Sequence, residues 1–197
     1  MESKVLTFEE LDKLAENIAR ILKRGDSLAL IGDLGTGKTT FTKNICKYFN
    51  ITENVKSPTF NYVIEYNSGD IPIYHFDVYR LEEASEIYDI GYEDYLGGEG
   101  ISIIEWADKI SDELPEDTLF LELAYDTERT RKVSVLPSPP PPWWPCWLMA
   151  CGAPRSRHPQ YSRARWKPVK PTLRPRSRPA LPKCWSPRAI RLPLVLR

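Results

Sequence analysis

Residues 27–49, SLALIGDLGTGKTTFTKNICKYF, decide the fold of this chain. The segment opens with Ser27–Ile31, a short apolar run that is typical of a buried strand. Residues 32–40 then complete the spacing G-x-x-x-x-G-K-[ST]. Four apolar residues follow at helical spacing: Phe41, Ile45, Tyr48 and Phe49. Strand, glycine-rich loop and helix in this order predict a phosphate-binding P-loop.

The P-loop predicts a nucleoside triphosphate with Mg²⁺ as the ligand. Glycines let the backbone curl so that its N–H groups face phosphate oxygens, and the N-terminus of the next helix adds positive charge. We expect Lys38 to reach the β- and γ-phosphates and Thr39 to offer its hydroxyl to Mg²⁺. The strand and helix on either side disfavour the alternative, a glycine-rich turn that binds nothing. The predicted binding loop consists of Gly32, Asp33, Leu34, Gly35, Thr36, Gly37, Lys38, Thr39 and Thr40.

Composition divides the chain into two unlike parts. All 27 Asp and Glu residues lie at or before Glu128, whereas 15 of the 18 prolines and five of the six tryptophans come after it. Residues 1–128 therefore carry a net charge of −16, and residues 129–197 carry +16. We place the boundary near residue 136. Residues 1–136 are long enough to bury one core, and residues 137–197 are predicted to be a disordered or irregular basic tail.

Three interpretations of the tail stay open. Its basic charge and interspersed aromatic residues fit an arm that binds RNA or another polyanion. It is also compatible with a solvated extension that has no function. The abrupt change from Lys, Ile, Glu, Asp and Tyr to Pro, Arg, Trp, Ala and Cys favours a third interpretation, a lost reading frame.

Residues 1–136 predict an α/β domain with a mixed sheet. Residues 7–10 fit a helix capping box, and apolar positions then line one helical face as far as Gly25. Strands are expected over residues 62–66, 71–77, 101–105, 119–124 and 132–136, the first two as an antiparallel hairpin. Helical periodicity is weak over residues 82–95. The start of the chain lacks the apolar core of a signal peptide, and no segment is long enough to span a bilayer, so we expect a cytoplasmic protein without membrane contact.

Two predicted strands end in an acid, Asp77 and Glu105. Ligands of open α/β sheets bind beyond the carboxyl ends of parallel strands, where the P-loop also begins. We expect one acid to hold Mg²⁺ and the other to orient an attacking water; the alternative for each is a helix cap or a surface acid. His75 is expected to be structural, and local twist leaves open whether it points away from the face that bears Asp77. For Trp106, spacing alone favours the core over the nucleotide pocket.

Four motifs in one order closely resemble the bacterial TsaE family, also called YjeE. They are GDLGTGKTT at 32–40, VKSPTF at 55–60, YHFDVYRL at 74–81 and IEW at 104–106. The resemblance covers residues 5–135 and implies a cytosolic P-loop ATPase with a three-layer domain. Such proteins support the synthesis of threonylcarbamoyladenosine in tRNA and act with TsaD and TsaB, which transfer the threonylcarbamoyl group. Contact with tRNA is then indirect, through that complex.

The resemblance also assigns roles to individual residues. Residues 34–39 would bind the ATP phosphates, Thr39 and Glu105 would hold Mg²⁺, and Asp77 would be the acid needed for hydrolysis. Residues 57–59 would form a loop that responds to nucleotide. Five further positions fall where the family contacts or approaches the nucleotide, with Arg129 as an alternative to the last: Thr7, Phe8, Trp106, Asp108 and Arg131. After Val135 a proline tract replaces the strand or helix with which the family usually continues, so the resemblance leaves the last sheet edge undefined.

Two other functions remain alternatives. In a small-molecule or nucleotide kinase, Asp77 would deprotonate an acceptor hydroxyl, although the chain has no arginine-rich lid. In a non-catalytic adaptor, nucleotide would control binding of tRNA by the basic tail. Because no arginine finger is identifiable, we expect an ATPase of this type to be slow without a partner.

Overall fold

The protein folds around one seven-stranded mixed sheet. The structure is a computed structural model that describes residues 3–136; the tail at 137–197, with its three interpretations, lies outside the described residues. The sheet has the strand order β1-β7-β6-β2-β5-β4-β3. Its strands are β1 (Ser3–Thr7), β2 (Ser27–Ile31), β3 (Val63–Tyr66), β4 (Ile73–Asp77), β5 (Ile101–Glu105), β6 (Leu119–Tyr125) and β7 (Thr130–Leu136).

Parallel strands form the centre of the sheet and antiparallel strands its edges. Strands β4, β5, β2 and β6 pair in parallel. Strand β3 pairs antiparallel with β4, as the predicted hairpin requires, and the β6–β7 hairpin is continued by β1. Because parallel strands are covered on both faces, most of their residues are apolar. Every residue of β2 and β5 is buried.

Two different layers cover the sheet, so the predicted three-layer α/β class is confirmed. One face packs against helices α1 (Phe8–Ile21) and α2 (Lys38–Tyr48) through residues such as Leu14, Ile18 and Ile45. The other face packs against 3-10 helices at Ala84–Ile90, Tyr92–Asp94 and Ala107–Lys109, whereas the short 3-10 helix Ser111–Glu113 has no buried residue. None of the helices within residues 3–136 has the length and apolar character needed to cross a bilayer.

The first residues of the domain differ from the prediction. The capping box is present, since the Glu10 amide donates to the Thr7 hydroxyl and the Thr7 amide donates to the Glu10 carboxylate. Residues 3–7, however, form strand β1, which the sequence analysis missed. The strand pairs with β7 over its whole length. It therefore covers the sheet edge that the resemblance left undefined beyond residue 135.

Candidate nucleotide-binding site

The P-loop joins the end of β2 to the start of α2, and its backbone requires glycine. Gly32 has φ +144°, and a Cβ atom placed on it would lie 2.1 Å from the Leu123 carbonyl oxygen on β6. Any side chain at this position would displace the loop from the sheet. Gly37 has φ +105° and is the N-cap residue of α2. The loop conformation therefore depends on both ends of the predicted motif.

The N-terminus of α2 has the features of an anion site. Its N-cap makes no side-chain hydrogen bond, and its first turn contains no acidic residue. The leading N–H groups of a helix have no partner within the helix and carry its positive dipole end. Thr40 is exposed in this first turn, and Leu34 is 89% exposed at the outer end of the loop. A phosphate group placed here would meet free donors and favourable potential.

Lys38 is buried beneath the loop. Its ammonium group donates to the carbonyl oxygens of Gly32 at 2.6 Å and Asp33 at 2.8 Å, and lies 3.8 Å from the centre of the Trp106 ring. Burial lowers the pKa of Lys38, and the nearby carboxylates of Glu105, Asp77, Asp108 and Asp33 oppose that shift. An ammonium group has three donors, so one remains for a phosphate oxygen.

The two predicted carboxylates end neighbouring parallel strands at the same level. Asp77 on β4 is the register partner of Glu105 on β5, and both residues are 2% exposed. Adjacent strands lie about 4.8 Å apart, so both side chains reach one site. Their placement follows from two neighbouring five-residue strands that each finish in an acid. The structure thus brings Lys38, Asp77 and Glu105 together at the edge of the sheet from which the P-loop begins.

Glu105 links the P-loop helix to the core of the sheet. Its Oε2 accepts a hydrogen bond from the Thr39 hydroxyl at 3.0 Å, and its Oε1 lies 2.8 Å from Nε2 of His75. The sequence left the orientation of His75 open, and in the structure His75 does not point away from the face bearing Asp77. Residues two apart in a strand share a face, so His75, Asp77 and the paired Glu105 lie on the same side of the sheet. This spacing was the signal in the sequence that could have placed His75 at the site.

Asp77 is held by the loop between α2 and β3. Its Oδ2 accepts hydrogen bonds from the hydroxyls of Ser57 at 2.6 Å and Thr59 at 2.7 Å, and its Oδ1 accepts one from the Tyr79 amide at 3.1 Å. Ser57 and Thr59 are only partly buried. The loop that the resemblance expects to respond to nucleotide therefore makes direct contact with the acid expected to act in hydrolysis.

Trp106 turns the chain away from β5 beside the site. It adopts left-handed backbone with φ +63°, and its ring lies between Lys38 and Tyr79, 4.8 Å from the tyrosine ring centre. The core placement favoured by spacing holds in part, because the side chain is partly buried and packs against the core on this face as well as against Lys38. Asp108 follows in the next 3-10 helix and is exposed.

Arg131 braces the P-loop from the opposite side. Its Nε donates to the Thr36 carbonyl at 3.1 Å and its Nη2 to the Gly35 carbonyl at 3.4 Å. Its Nη1 donates to two carbonyls of the β6–β7 hairpin. The guanidinium also lies over the rings of Phe8 and Tyr125, a contact with Tyr125 that the sequence analysis did not include. Arg131 thus contacts the loop backbone and leaves one donor free.

The remaining predicted residues lie around this brace. The Thr7 hydroxyl caps α1 and is used within that helix. Phe8 is 48% exposed beside Arg131. Arg129 is exposed in the β6–β7 turn, where its amide donates to Thr127. Of these three residues, Phe8 contacts Arg131, which in turn contacts the P-loop.

The donor set fits Mg²⁺ bound together with phosphate. Within residues 3–136, no group of three or more His, Cys, Asp and Glu side chains is arranged as a metal site. Mg²⁺ is commonly bound through one or two carboxylates with phosphate oxygens and water. Thr39 and Glu105, already in contact, supply one hydroxyl and one carboxylate beside the anion site of α2.

Comparison with known proteins identifies the family. A sequence profile described as "Threonylcarbamoyl adenosine biosynthesis protein TsaE" matches residues 5–133, which is well over half of the chain. The chain belongs to the TsaE family. The predicted resemblance is confirmed.

Curated relatives and a solved structure agree with this family. The chain is 46% identical over 123 residues to "tRNA threonylcarbamoyladenosine biosynthesis protein TsaE" of Bacillus subtilis, covering 61% of this chain and 77% of the relative. It is 36% identical over 118 residues to the protein of the same name from Treponema pallidum, covering 60% and 87%. The crystal structure of Bacillus subtilis YdiB superposes with a TM-score of 0.56 at 34% identity, over 70% of this chain and 88% of YdiB.

Proposed function

We propose that this protein binds ATP with Mg²⁺ and hydrolyses it in support of threonylcarbamoyladenosine synthesis in tRNA. Membership of the TsaE family supports the role in tRNA modification. One observation carries the chemistry: the P-loop and the uncapped N-terminus of α2 face two buried carboxylates, one of which already contacts Thr39. The proposed location is the cytoplasm.

In this proposal each residue has a separate role. Lys38 and the backbone N–H groups of residues 34–39 bind the phosphates. Thr39 and Glu105 hold Mg²⁺, which neutralises charge on the phosphate oxygens when it is bound. Trp106 restricts the position of Lys38 by covering its ammonium group. Together they fix the triphosphate against the edge of the sheet.

Asp77 orients the attacking water. A carboxylate offers about four lone-pair directions, and the contacts with Ser57, Thr59 and the Tyr79 amide use three of them. The remaining direction on Oδ1 accepts a hydrogen bond from water. Because Ser57 and Thr59 donate directly to Asp77, movement of residues 57–59 would change the position of this carboxylate.

We propose that TsaD and TsaB are the partners and that they raise the rate of hydrolysis. Arg131 uses four of its five donors on backbone carbonyls, so it is poorly placed to neutralise charge developing on the γ-phosphate. A partner that orders residues 57–59, or contributes a cation, would complete the site. Residues 1–136 carry 14 Lys and Arg against 27 Asp and Glu, and such a field disfavours direct contact with tRNA.

The test is ATP hydrolysis by the full chain, assayed alone and with TsaD and TsaB. We expect slow hydrolysis alone, stimulation by the pair, and loss of ATP binding in Lys38→Ala. Lys43→Ala is the matched control, because Lys43 lies on the same helix but is exposed. Unchanged ATP binding in Lys38→Ala would contradict the proposal. Phosphorylation of a small molecule without dependence on TsaD would favour a kinase instead.

A further inference from the structure

His75 is a buried polar residue on the face of the sheet that bears Asp77 and Glu105. Packing alone would not require a polar side chain at this position. Its side chain is 0% exposed, and Nδ1 has no hydrogen-bond partner among residues 3–136. Its surroundings are apolar residues of the helix-covered face, including Ile73 and Ile103, with the Tyr66 ring 6.3 Å away. A buried nitrogen without a partner destabilises a fold, and an apolar side chain would avoid that cost.

The polar contact that His75 does make is with Glu105. Nε2 of His75 lies 2.8 Å from Oε1 of Glu105, whose side chain is 3% exposed. A carboxylate only accepts hydrogen bonds, so Nε2 donates to Glu105, while Nδ1 has no partner among residues 3–136. The two oxygens of Glu105 are then divided, with Oε1 bound to the core and Oε2 bound to Thr39.

We propose that His75 is a positioning residue that holds Glu105 in the rotamer that binds Mg²⁺. The inference rests on the proposed function, because it concerns the carboxylate assigned to the ion. Without His75, Oε1 has no donor in the core and the carboxylate is free to rotate away from Thr39. Donors that orient metal-binding side chains commonly change metal affinity when they are removed. His75 touches neither the phosphates nor the ion in this proposal.

Three substitutions in the full chain separate positioning from packing. His75→Gln places an amide donor near the position of Nε2 and keeps the contact with Glu105. His75→Asn has the same chemistry but reaches only the position of Nδ1, so it is the matched control. His75→Leu removes both nitrogens and fills the space with apolar atoms. Unfolding temperatures of all three show whether each variant folds.

A fluorescent ATP analogue is bound at increasing Mg²⁺, and the readout is the Mg²⁺ concentration that gives half of the ion's full effect on binding. Mn²⁺ binding, measured by paramagnetic resonance, is the second readout. We expect His75→Leu and His75→Asn to raise that concentration by roughly 10–100-fold, while analogue binding in EDTA is unchanged. His75→Gln is expected to stay close to the unsubstituted chain. If His75→Leu does not fold, the comparison of His75→Gln with His75→Asn provides the test.

A purely structural role predicts a different pattern. It lowers the unfolding temperature in the variants and leaves the Mg²⁺ dependence as it was, which would overturn the inference. Equal shifts of the Mg²⁺ concentration in His75→Gln and His75→Asn would overturn it as well. Glu105→Gln separates the proposed role of Glu105 from that of His75. If Glu105→Gln impairs Mg²⁺ binding and His75→Leu does not, only the role of His75 fails. If the unsubstituted chain shows no Mg²⁺-dependent ATP binding, the proposed function fails and this inference fails with it.

Discussion

The two carboxylates of the site are equally buried but are held by different parts of the molecule. Glu105 is fixed between His75 in the sheet and Thr39 on α2, which are regular elements with core packing. Asp77 is fixed largely by Ser57 and Thr59, which lie on an irregular loop. Loops open more readily than packed strands and helices. The surroundings of Asp77 are therefore the easier of the two to rearrange.

We propose that this difference gives different roles to two acids that look alike in the sequence. A metal-binding carboxylate gains from a rigid position, because the geometry required by Mg²⁺ is strict. Movement of the loop can bring an acid that orients water into position or take it out of position. Such movement would control the rate of hydrolysis. We infer that residues 57–59 control hydrolysis through Asp77 while Glu105 keeps the ion in place.

The largest expected effect is that of Asp77→Asn. It removes the charge that orients water, and we expect hydrolysis to fall by about 10²–10⁴-fold. ATP affinity is expected to remain, because Asp77 makes no proposed contact with the bound phosphates. Single-turnover hydrolysis and equilibrium binding, measured on the same preparation, check this. A parallel loss of ATP affinity would show that Asp77 also belongs to the binding machinery.

Glu105→Gln should have a smaller effect of a different kind. The amide keeps the size of the side chain but lacks the negative charge that attracts Mg²⁺, so we expect the affinity for the ion to fall by roughly 10–100-fold. Paramagnetic resonance of Mn²⁺ with the protein and a non-hydrolysable ATP analogue measures this directly. Asp77→Asn serves as the comparison. Similar loss of Mn²⁺ in both variants would remove the distinction between the two acids.

Loss of the loop hydroxyls should have the smallest effect. Ser57→Ala and Thr59→Val each remove one donor to Asp77, and we expect each to cost about 1 kcal/mol of unfolding free energy. Hydrogen exchange at the Asn61 and Tyr62 amides, which bond to the Pro58 carbonyl, should become faster. Exchange around Glu105 should stay the same.

Ser68→Ala is the matched control for these loop variants. The Ser68 hydroxyl, in the turn between β3 and β4, accepts a hydrogen bond from the Thr52 amide near the start of the α2–β3 loop and makes no contact with Asp77. Its loss should therefore affect exchange of Thr52 alone. If exchange in the loop variants rises equally at Glu105, the two halves of the site are coupled and the proposed independence of the carboxylates is wrong.

Much of the fold could be predicted because its central strands are apolar on both faces. Residues 27–31 and 101–105 have the predicted bounds, since a fully buried strand leaves a continuous apolar run. Strand β1 was missed for the opposite reason. It lies at the sheet edge with no fully buried residue, and it is defined by pairing with β7, which is over a hundred residues away in the chain. Residues 84–94 form 3-10 helices, whose shorter turns do not give a 3.6-residue period.

The site residues that could be predicted are marked by short-range sequence patterns. The contacts that were not predicted join residues far apart in the chain. The motif spacing placed Lys38 and Thr39, and the strand ends placed Asp77 and Glu105. The brace of Arg131 on the carbonyls of Thr36 and Gly35 joins residues about 95 positions apart in the chain. No local sequence pattern predicts such a contact. The role of residues 32–40 as a phosphate loop remains a prediction that binding must test.

The Mg²⁺ dependence of ATP hydrolysis by the full chain, its Asp77→Asn variant and its Glu105→Gln variant tests the division of labour most directly. We predict that Asp77→Asn lowers the maximal rate and leaves the Mg²⁺ midpoint unchanged. Glu105→Gln should move the midpoint to higher Mg²⁺ and recover much of its rate as the ion is raised. A shifted midpoint in Asp77→Asn, or a Glu105→Gln rate that Mg²⁺ does not restore, would contradict the assignment of the ion to Glu105 and of water to Asp77.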